Sequence, residues 1–297
     1  MRSQVQKTRE GLIHGLLLAC GLASIITTVG IVWVLFSQST YFFQHVTIAE
    51  FLTGTVWRPR LVPESFGVLP LVCGTFVVAF GALLIALPIG LAAALYLSEY
   101  APPTVRQLAK PVLELLAGIP TVVYGFFAIS FITPHLLRPV FPQVSIFNAL
   151  SAAIVVGIMI VPTICSLCDD AFRAVPQSLR QGAFALAATK AEVSLRVVFP
   201  AALSGVTAAV LLALARAVGE TMAVALAAGN TPNFTLNPLQ NMQTMTGYIV
   251  QVASGDTDYR STAYYSIFAV GATLFLITLA INLVAQRVLA RFREAYD

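Results

Sequence analysis

Charge is what this chain has least of. Asp, Glu, Lys and Arg make up 10% of its 297 residues against 58% hydrophobic ones, and mean hydropathy is +0.85. A soluble domain carries about 25% charged residues. This chain lacks the polar surface that a water-soluble fold needs, and its composition places it among integral membrane proteins, with the lipid bilayer as solvent. Histidine is also scarce: His14, His45 and His135 stand singly, without metal-ligand spacing. The four cysteines (Cys20, Cys73, Cys165 and Cys168) lie in or beside apolar runs. CSLC has C-x-x-C spacing, but it closes an apolar run with no βαβ pattern around it, which fits packing better than redox chemistry. No G-x-x-x-x-G-K-[ST] stretch occurs, so energised work needs a partner or an ion gradient. No nucleophile constellation or metal cluster is legible, and neither catalysis nor a bound cofactor is expected of the chain itself.

Long apolar runs stand in place of charge. Five are charge-free: Leu12–Phe36, Leu69–Leu97, Leu115–Thr133, Ala149–Cys168 and Ala263–Ala285. A sixth, Ala201–Ala228, is interrupted by one arginine and one glutamate. Each has the roughly 20 residues that cross about 30 Å of hydrocarbon as helix. None alternates as barrel strands do. The expected fold class is an all-α membrane protein, one domain over 1–297 with six transmembrane helices at about 12–36, 69–97, 112–133, 149–168, 201–228 and 263–285. The first run follows Arg2, Lys7 and Arg9, as a secretory signal would. It exceeds the 7–15 residues of a signal h-region and no small-x-small site follows it, so a retained helix is expected.

Basic residues set the expected orientation. With the N-terminus inside, Arg2, Lys7, Arg9, Arg106, Lys110, Arg173, Arg180, Lys190, Arg196, Arg287, Arg291 and Arg293 fall inside, twelve in all. Arg58, Arg60, Arg138 and Arg260 fall outside, four in all, and Arg216 lies in a span. The excess places both termini in the cytoplasm. The net charge of +4 therefore reflects topology and gives no sign of nucleic-acid binding. Pro88, Pro120 and Pro162 lie in or at the ends of spans and are expected to bend or break them. Singly they also fit the higher proline content of membrane helices; together they suit a bundle that opens a path. Outside, Ser37–Phe66 carries a short interfacial helix in TIAEFLTGTVW, and Gly229–Ser261 is a loop rich in Asn, Thr, Gly and Asp.

Two stretches hold the functional signal. The inside segment 171–200 reads as two short amphipathic helices. Ala183, Leu186 and Ala187 form a small apolar patch at helical spacing, while Arg180, Lys190 and Arg196 stay polar. Held outside the membrane, such a helix lies on the bilayer or docks in a partner's groove. Its small alanines make a poor anchor, so docking is expected. The second stretch is LLALARAVGETMAVALAAG, Leu211–Gly229. A continuous helix would put Arg216 and Glu220 about 6 Å apart along its axis on one face, with Ala213, Ala217, Ala223 and Ala227. Lipid exposure of a mid-span arginine costs about 2.5–3.5 kcal/mol even on the gentlest scale, so this face looks at other helices or a cavity.

The inside segment resembles the docking loop of ABC-importer permeases, whose pattern is E-A-A, x3-G, x9-I-x-L-P. The matching positions are Gln181-Gly182-Ala183, Ala187 and Val197-Val198-Phe199-Pro200. Gln181 replaces the acidic residue and Ala187 the glycine. FGVLPLVCGT, ALPIGLAAALYLSEYAP, LELLAGIPTVVYGFFA, MIVPTICSL and RAVGETMAVALAAG together resemble the phosphate-specific permeases, and RA-x-GETMAV is similar to the C type. The resemblance implies a type I importer permease with the MetI-like fold in the bacterial inner membrane. It also implies a heterodimer with a homologous A-type permease, two cytoplasmic ATPase subunits that use ATP and Mg, and a periplasmic phosphate-binding protein. Gln181, Gly182, Ala183, Leu186 and Ala187 become ATPase-coupling residues, and inorganic phosphate becomes the substrate. Arg216 and Glu220 then have two open roles. They neutralise one another and fix helix register, or Arg216 contacts phosphate in transit with Glu220 as its resting counter-ion. Three further readings differ in kind: a permease for phosphonate or sulfate, a stand-alone ion-coupled transporter, which needs no docking helix, and a polytopic enzyme, which needs a cluster at one membrane depth.

Overall fold

The computed structural model describes residues 2–255 and 257–292. Four helices are long and apolar enough to span a membrane, and two bent pairs bring the total to as many as six. The first span belongs to α1, Arg2–Phe43. A short α2, Ile48–Thr53, and a two-stranded ribbon, β1 (Trp57–Arg58) with β2 (Ser65–Phe66), lead into α3, Leu69–Leu95. Next come α4, Pro103–Ala117, and α5, Thr121–Phe127, bent by 82° where one span was expected over 112–133. The third unbroken span is α6, Ala149–Ala174.

The docking segment follows as α7, Gln177–Ala185, then Lys190–Ala201, in which a π turn (Val193–Val198) joins α8, Lys190–Glu192, to α9, Phe199–Ala201. A 70° bend leads into α10, Leu203–Val218. After α11, Met222–Ala227, and α12, Met245–Ala253, the last span is α13, Thr262–Phe292.

The centre of the bundle is α3 against α6. A Cβ built on Gly90 would lie 2.8 Å from Ile164 Cγ2, and one on Gly157 3.1 Å from the Ala82 carbonyl oxygen. Small residues let backbones approach this closely, which is how membrane helices gain packing where lipid offers no hydrophobic drive. α10 packs on α3, α6 and α13, and most of α1 runs along α13, with Leu12, Leu16, Ile25, Val29 and Trp33 exposed for lipid.

Two of the three span prolines do not break their helices. Pro88 and Pro162 lie inside the continuous α3 and α6, whereas Pro120 does start α5 after the bend. Irregular turns appear elsewhere, as π segments at Tyr96–Tyr100 and Ala128–Leu137. α6 starts cleanly because Asn148, fully buried, accepts from the Ser151 amide at 2.7 Å and donates to Thr133 Oγ1 at 3.1 Å. A side-chain acceptor at this position satisfies an orphan helix donor.

The stretch expected as an outside loop over Gly229–Ser261 is more ordered than its polar composition implies. α12 is inserted in it, with Met245 and Tyr248 buried against Trp57, Phe42, Phe51, Phe66 and the start of α13. These aromatics form a second core that caps one end of the bundle. α1 enters that cap by its C-terminal end and α13 leaves it by its N-terminal end. The docking segment sits at the opposite end, where α3 finishes.

Candidate translocation face and docking segment

The expected one-faced pair of charges is absent. α10 ends at Val218, capped at Gly219, and α11 begins at Met222, so the chain leaves the helix between them. Glycine weakens the helix there, and local polar groups satisfy the break. Thr221 Oγ1 donates to the Gly219 carbonyl at 3.1 Å, Thr246 Oγ1 donates to the Glu220 carbonyl at 2.7 Å, and Glu220 Oε1 accepts from the Ala223 amide at 3.2 Å.

Among the described residues, no ion pair joins Arg216 to Glu220. Arg216 Nη1 instead donates to Thr163 Oγ1 on α6 at 2.8 Å and is exposed on the chain's own surface. The alanines do not share its face: Ala213, Ala217, Ala223 and Ala227 are all buried in the core. Beside Thr163, a cavity of about 200 Å³ is lined by Lys110, Leu113, Ala117, Pro162 and Ser166. Thr163 and Ser166 are one turn apart on α6, so they present hydroxyls on neighbouring positions of one face. Thr163 was missed because a lone threonine in an apolar run carries no signal until α10 is packed beside it.

The docking segment also differs from expectation. α7 stops at Ala185, so Ala183, Leu186 and Ala187 are not one helical patch. Ala183 is half-buried against the core, Leu186 is 85% exposed, and Ala187 takes φ +60°. Left-handed backbone costs a Cβ-bearing residue about 1–2 kcal/mol. Ala187 occupies the position where the loop pattern carries glycine, so that pattern encoded a conformation as well as a small side chain. Gln181 and Gly182 are exposed on α7, as are Leu179 and Phe184.

Thr189 starts α8 with a reciprocal capping box: its amide and hydroxyl donate to Glu192 Oε2 at 2.9 and 2.8 Å, and the Glu192 amide donates back at 3.4 Å. The bonds from Thr189, the backbone one foremost, hold the Glu192 carboxyl below its ordinary pKa.

Arg180, read as part of the polar side of the inside segment, is 7% exposed. Its guanidinium pairs with Glu99 at 2.9 Å and donates to the Phe172 carbonyl at 2.8 Å and to the Val175 carbonyl. Arginine's planar fork spreads its donors over two terminal nitrogens, whereas lysine offers its donors from a single point. A second pair ties α4 to α6, Arg106 to Asp169 at 2.8 Å, with Lys110 reaching Asp170 at 3.5 Å. At the capped end, a pocket of about 450 Å³ is lined by residues that include Arg58, Arg60, Asn233, Gln243 and Tyr248. Among the described residues, no group of His, Cys, Asp and Glu could hold a metal ion.

A bundle of span-length apolar helices with two bent pairs, and a short helical segment beyond one end, suits a membrane transport subunit. The chain belongs to the family described as binding-protein-dependent transport system inner membrane component, whose model matches residues 86–294. It is 36% identical to a probable ABC transporter permease protein, YqgH, of Bacillus subtilis, over 91% of this chain and 88% of that protein. It is 35% identical to the phosphate transport system permease protein PstC of Mesorhizobium japonicum, over 82% of this chain and 78% of that one. Among solved structures, it aligns with a chain of a bacterial ABC transporter involved in import of the acidic polysaccharide alginate. That alignment has a TM-score of 0.66 and 14% identity, and covers 99% of this chain and 100% of that one. Against the MetNI methionine ABC transporter the TM-score is 0.57 at 19% identity, over 77% and 95%. At these identities the solved structures speak for the fold, which is that of an ABC importer permease.

Proposed function

We propose that this chain is the permease subunit of an ATP-driven phosphate importer. It forms the translocation path with a homologous A-type permease and has no catalysis of its own. Its α7 end faces the cytoplasm, where two ATPase subunits engage the docking segment and use ATP and Mg. Its aromatic cap faces the periplasm, where a phosphate-binding protein delivers substrate. In this orientation both termini are cytoplasmic, in agreement with the excess of basic residues on that side.

One observation carries the reading. Arg216 lies midway along an expected span, yet it is exposed on the chain's own surface with Thr163 as its side-chain partner. A permanent cation at that depth is too costly to face lipid, so a second subunit or a polar path has to cover it. A planar guanidinium beside a hydroxyl suits a tetrahedral oxyanion. Glu220 is displaced into the helix break and is not clamped on Arg216, so an arriving anion does not have to displace a salt bridge. The relatives named as phosphate permeases favour phosphate among oxyanions.

The test is purification of the complex followed by uptake of phosphate, phosphonate and sulfate in vesicles. Co-purification of an ATPase and a homologous permease is expected, with phosphate preferred. Arg216→Gln should keep the ATPase bound and lower phosphate uptake at least about tenfold, as expected for removing a charge-assisted donor pair. Normal uptake by the assembled variant removes Arg216 from the path, and loss of assembly makes it a fastening between helices.

A further inference from the structure

The docking segment has to pass movement to the spanning helices if the proposed function holds, and it touches them through few polar contacts. Two of these grip adjacent residues of one turn. From α7, Arg180 pairs with Glu99 at 2.9 Å, both side chains 9% exposed. From α8, the Lys190 ammonium lies 4.9 Å from the centre of the Tyr100 ring. Glu99 and Tyr100 close the π turn Tyr96–Tyr100 that ends α3, where the Ala101 amide donates to the Tyr96 carbonyl at 2.8 Å.

We infer that this π turn receives the motion of the docked ATPase, with Glu99–Arg180 and Tyr100–Lys190 as the two grips that transmit it to α3. Three observations support the assignment. The Arg180 guanidinium also binds the Phe172 and Val175 carbonyls at the end of α6, so α7 is joined to both central helices through one side chain. Both carbonyls lie at the α6 terminus, where Phe172 also accepts from the Val175 amide at 3.3 Å, and a cation there is favoured by the helix dipole. Close packing of α3 on α6 at Gly90 and Gly157 leaves little slack between them. A displacement at α7 is therefore conveyed to the bundle core. Finally, the apolar side chains that α7 and its end expose, Leu179, Phe184 and Leu186, leave a surface for a partner while Arg180 is buried in the permease. Single π turns at α-helices are frequent at functional sites.

Glu99→Gln keeps an acceptor for Arg180 but removes the charge pairing, and Tyr100→Leu keeps bulk but removes the ring. Both are tested in the whole complex with its binding protein and ATPase, reading phosphate imported per ATP hydrolysed. Each variant is expected to retain the ATPase and to hydrolyse ATP while that ratio falls about tenfold, within the range seen for substitutions along coupled elements. The Glu99→Gln/Arg180→Gln double variant should fall no further than Arg180→Gln alone, because both act on one contact. An unchanged ratio in assembled variants overturns the inference, and so does loss of ATPase binding in all of them, which makes the grips a scaffold for α7. If the unaltered complex binds no ATPase or imports no phosphate, the functional reading beneath the inference fails first.

Discussion

Arg216 on α10 and Thr163 on α6 are joined by a 2.8 Å hydrogen bond, and Glu220 is joined to neither. The sequence places Glu220 one turn beyond Arg216, and the break at Gly219–Thr221 removes it from that face. A hydroxyl from another helix is therefore the arginine's side-chain partner. A neutral partner holds the guanidinium in place without cancelling its charge, which keeps it available to an anion.

Thr163→Val is the variant that isolates this bond. It preserves shape and removes the acceptor, so the bundle and its partners should assemble normally. Loss of a hydrogen bond to a charged group is worth about 1.5–3 kcal/mol. Uptake should fall about tenfold, less than in Arg216→Gln, when initial rates are compared at matched amounts of complex. A rate equal to the unaltered protein's would show that Thr163 does not position the arginine.

Ala187 carries a φ of +60° outside any helix. Ala187→Gly removes a left-handed penalty of about 1–2 kcal/mol, offset by the roughly 0.5–1 kcal/mol that glycine loses in chain entropy on folding. A net gain of up to about 1.5 kcal/mol is expected. It should appear as slower proteolysis of the 177–192 segment in the purified complex. Ala187→Val should act in the opposite direction, because β-branching penalises the same conformation further. Faster cleavage of the glycine variant would contradict this account.

Gly90 tests the bundle's centre. Its built Cβ would sit 2.8 Å from Ile164 Cγ2 and 2.9 Å from Ile164 Cβ, a side chain locked in the core at 0% exposure. Gly90→Leu should overpack α3 against α6 by about 1–3 kcal/mol or more, lowering the thermal unfolding midpoint of the detergent-solubilised protein. The loss caused by Gly90→Ala should be partly rescued in an Ile164→Ala background, each variant being compared with its own parent, because the Cγ2 contact at 2.8 Å is removed while the Cβ contact at 2.9 Å stays. Failure of that rescue would place the contact elsewhere.

Much of this protein was legible in its residues. Scarce charge and runs of roughly 20 apolar residues determine helices across a bilayer, because hydrocarbon leaves backbone groups no partner but one another. The motifs of 181–200 and 216–229 determine the family. That Ala187 stands at the loop pattern's glycine was legible as a substitution of one small residue for another, and its left-handed backbone emerged only with the structure. Tertiary structure decided what lay beyond periodicity. A straight-helix rule puts Arg216 and Glu220 together, but Thr246 and the Ala223 amide satisfy the groups that the break exposes, so the helix ends. A charge count puts Arg180 on the polar side of the inside segment, but the ends of α3 and α6 bring a carboxylate and two carbonyls to one point, and the arginine fork reaches all three. Local spacing fixes which residues lie on a helix; which of them meet depends on contacts between segments far apart in the chain, such as Glu99 with Arg180 and Thr163 with Arg216.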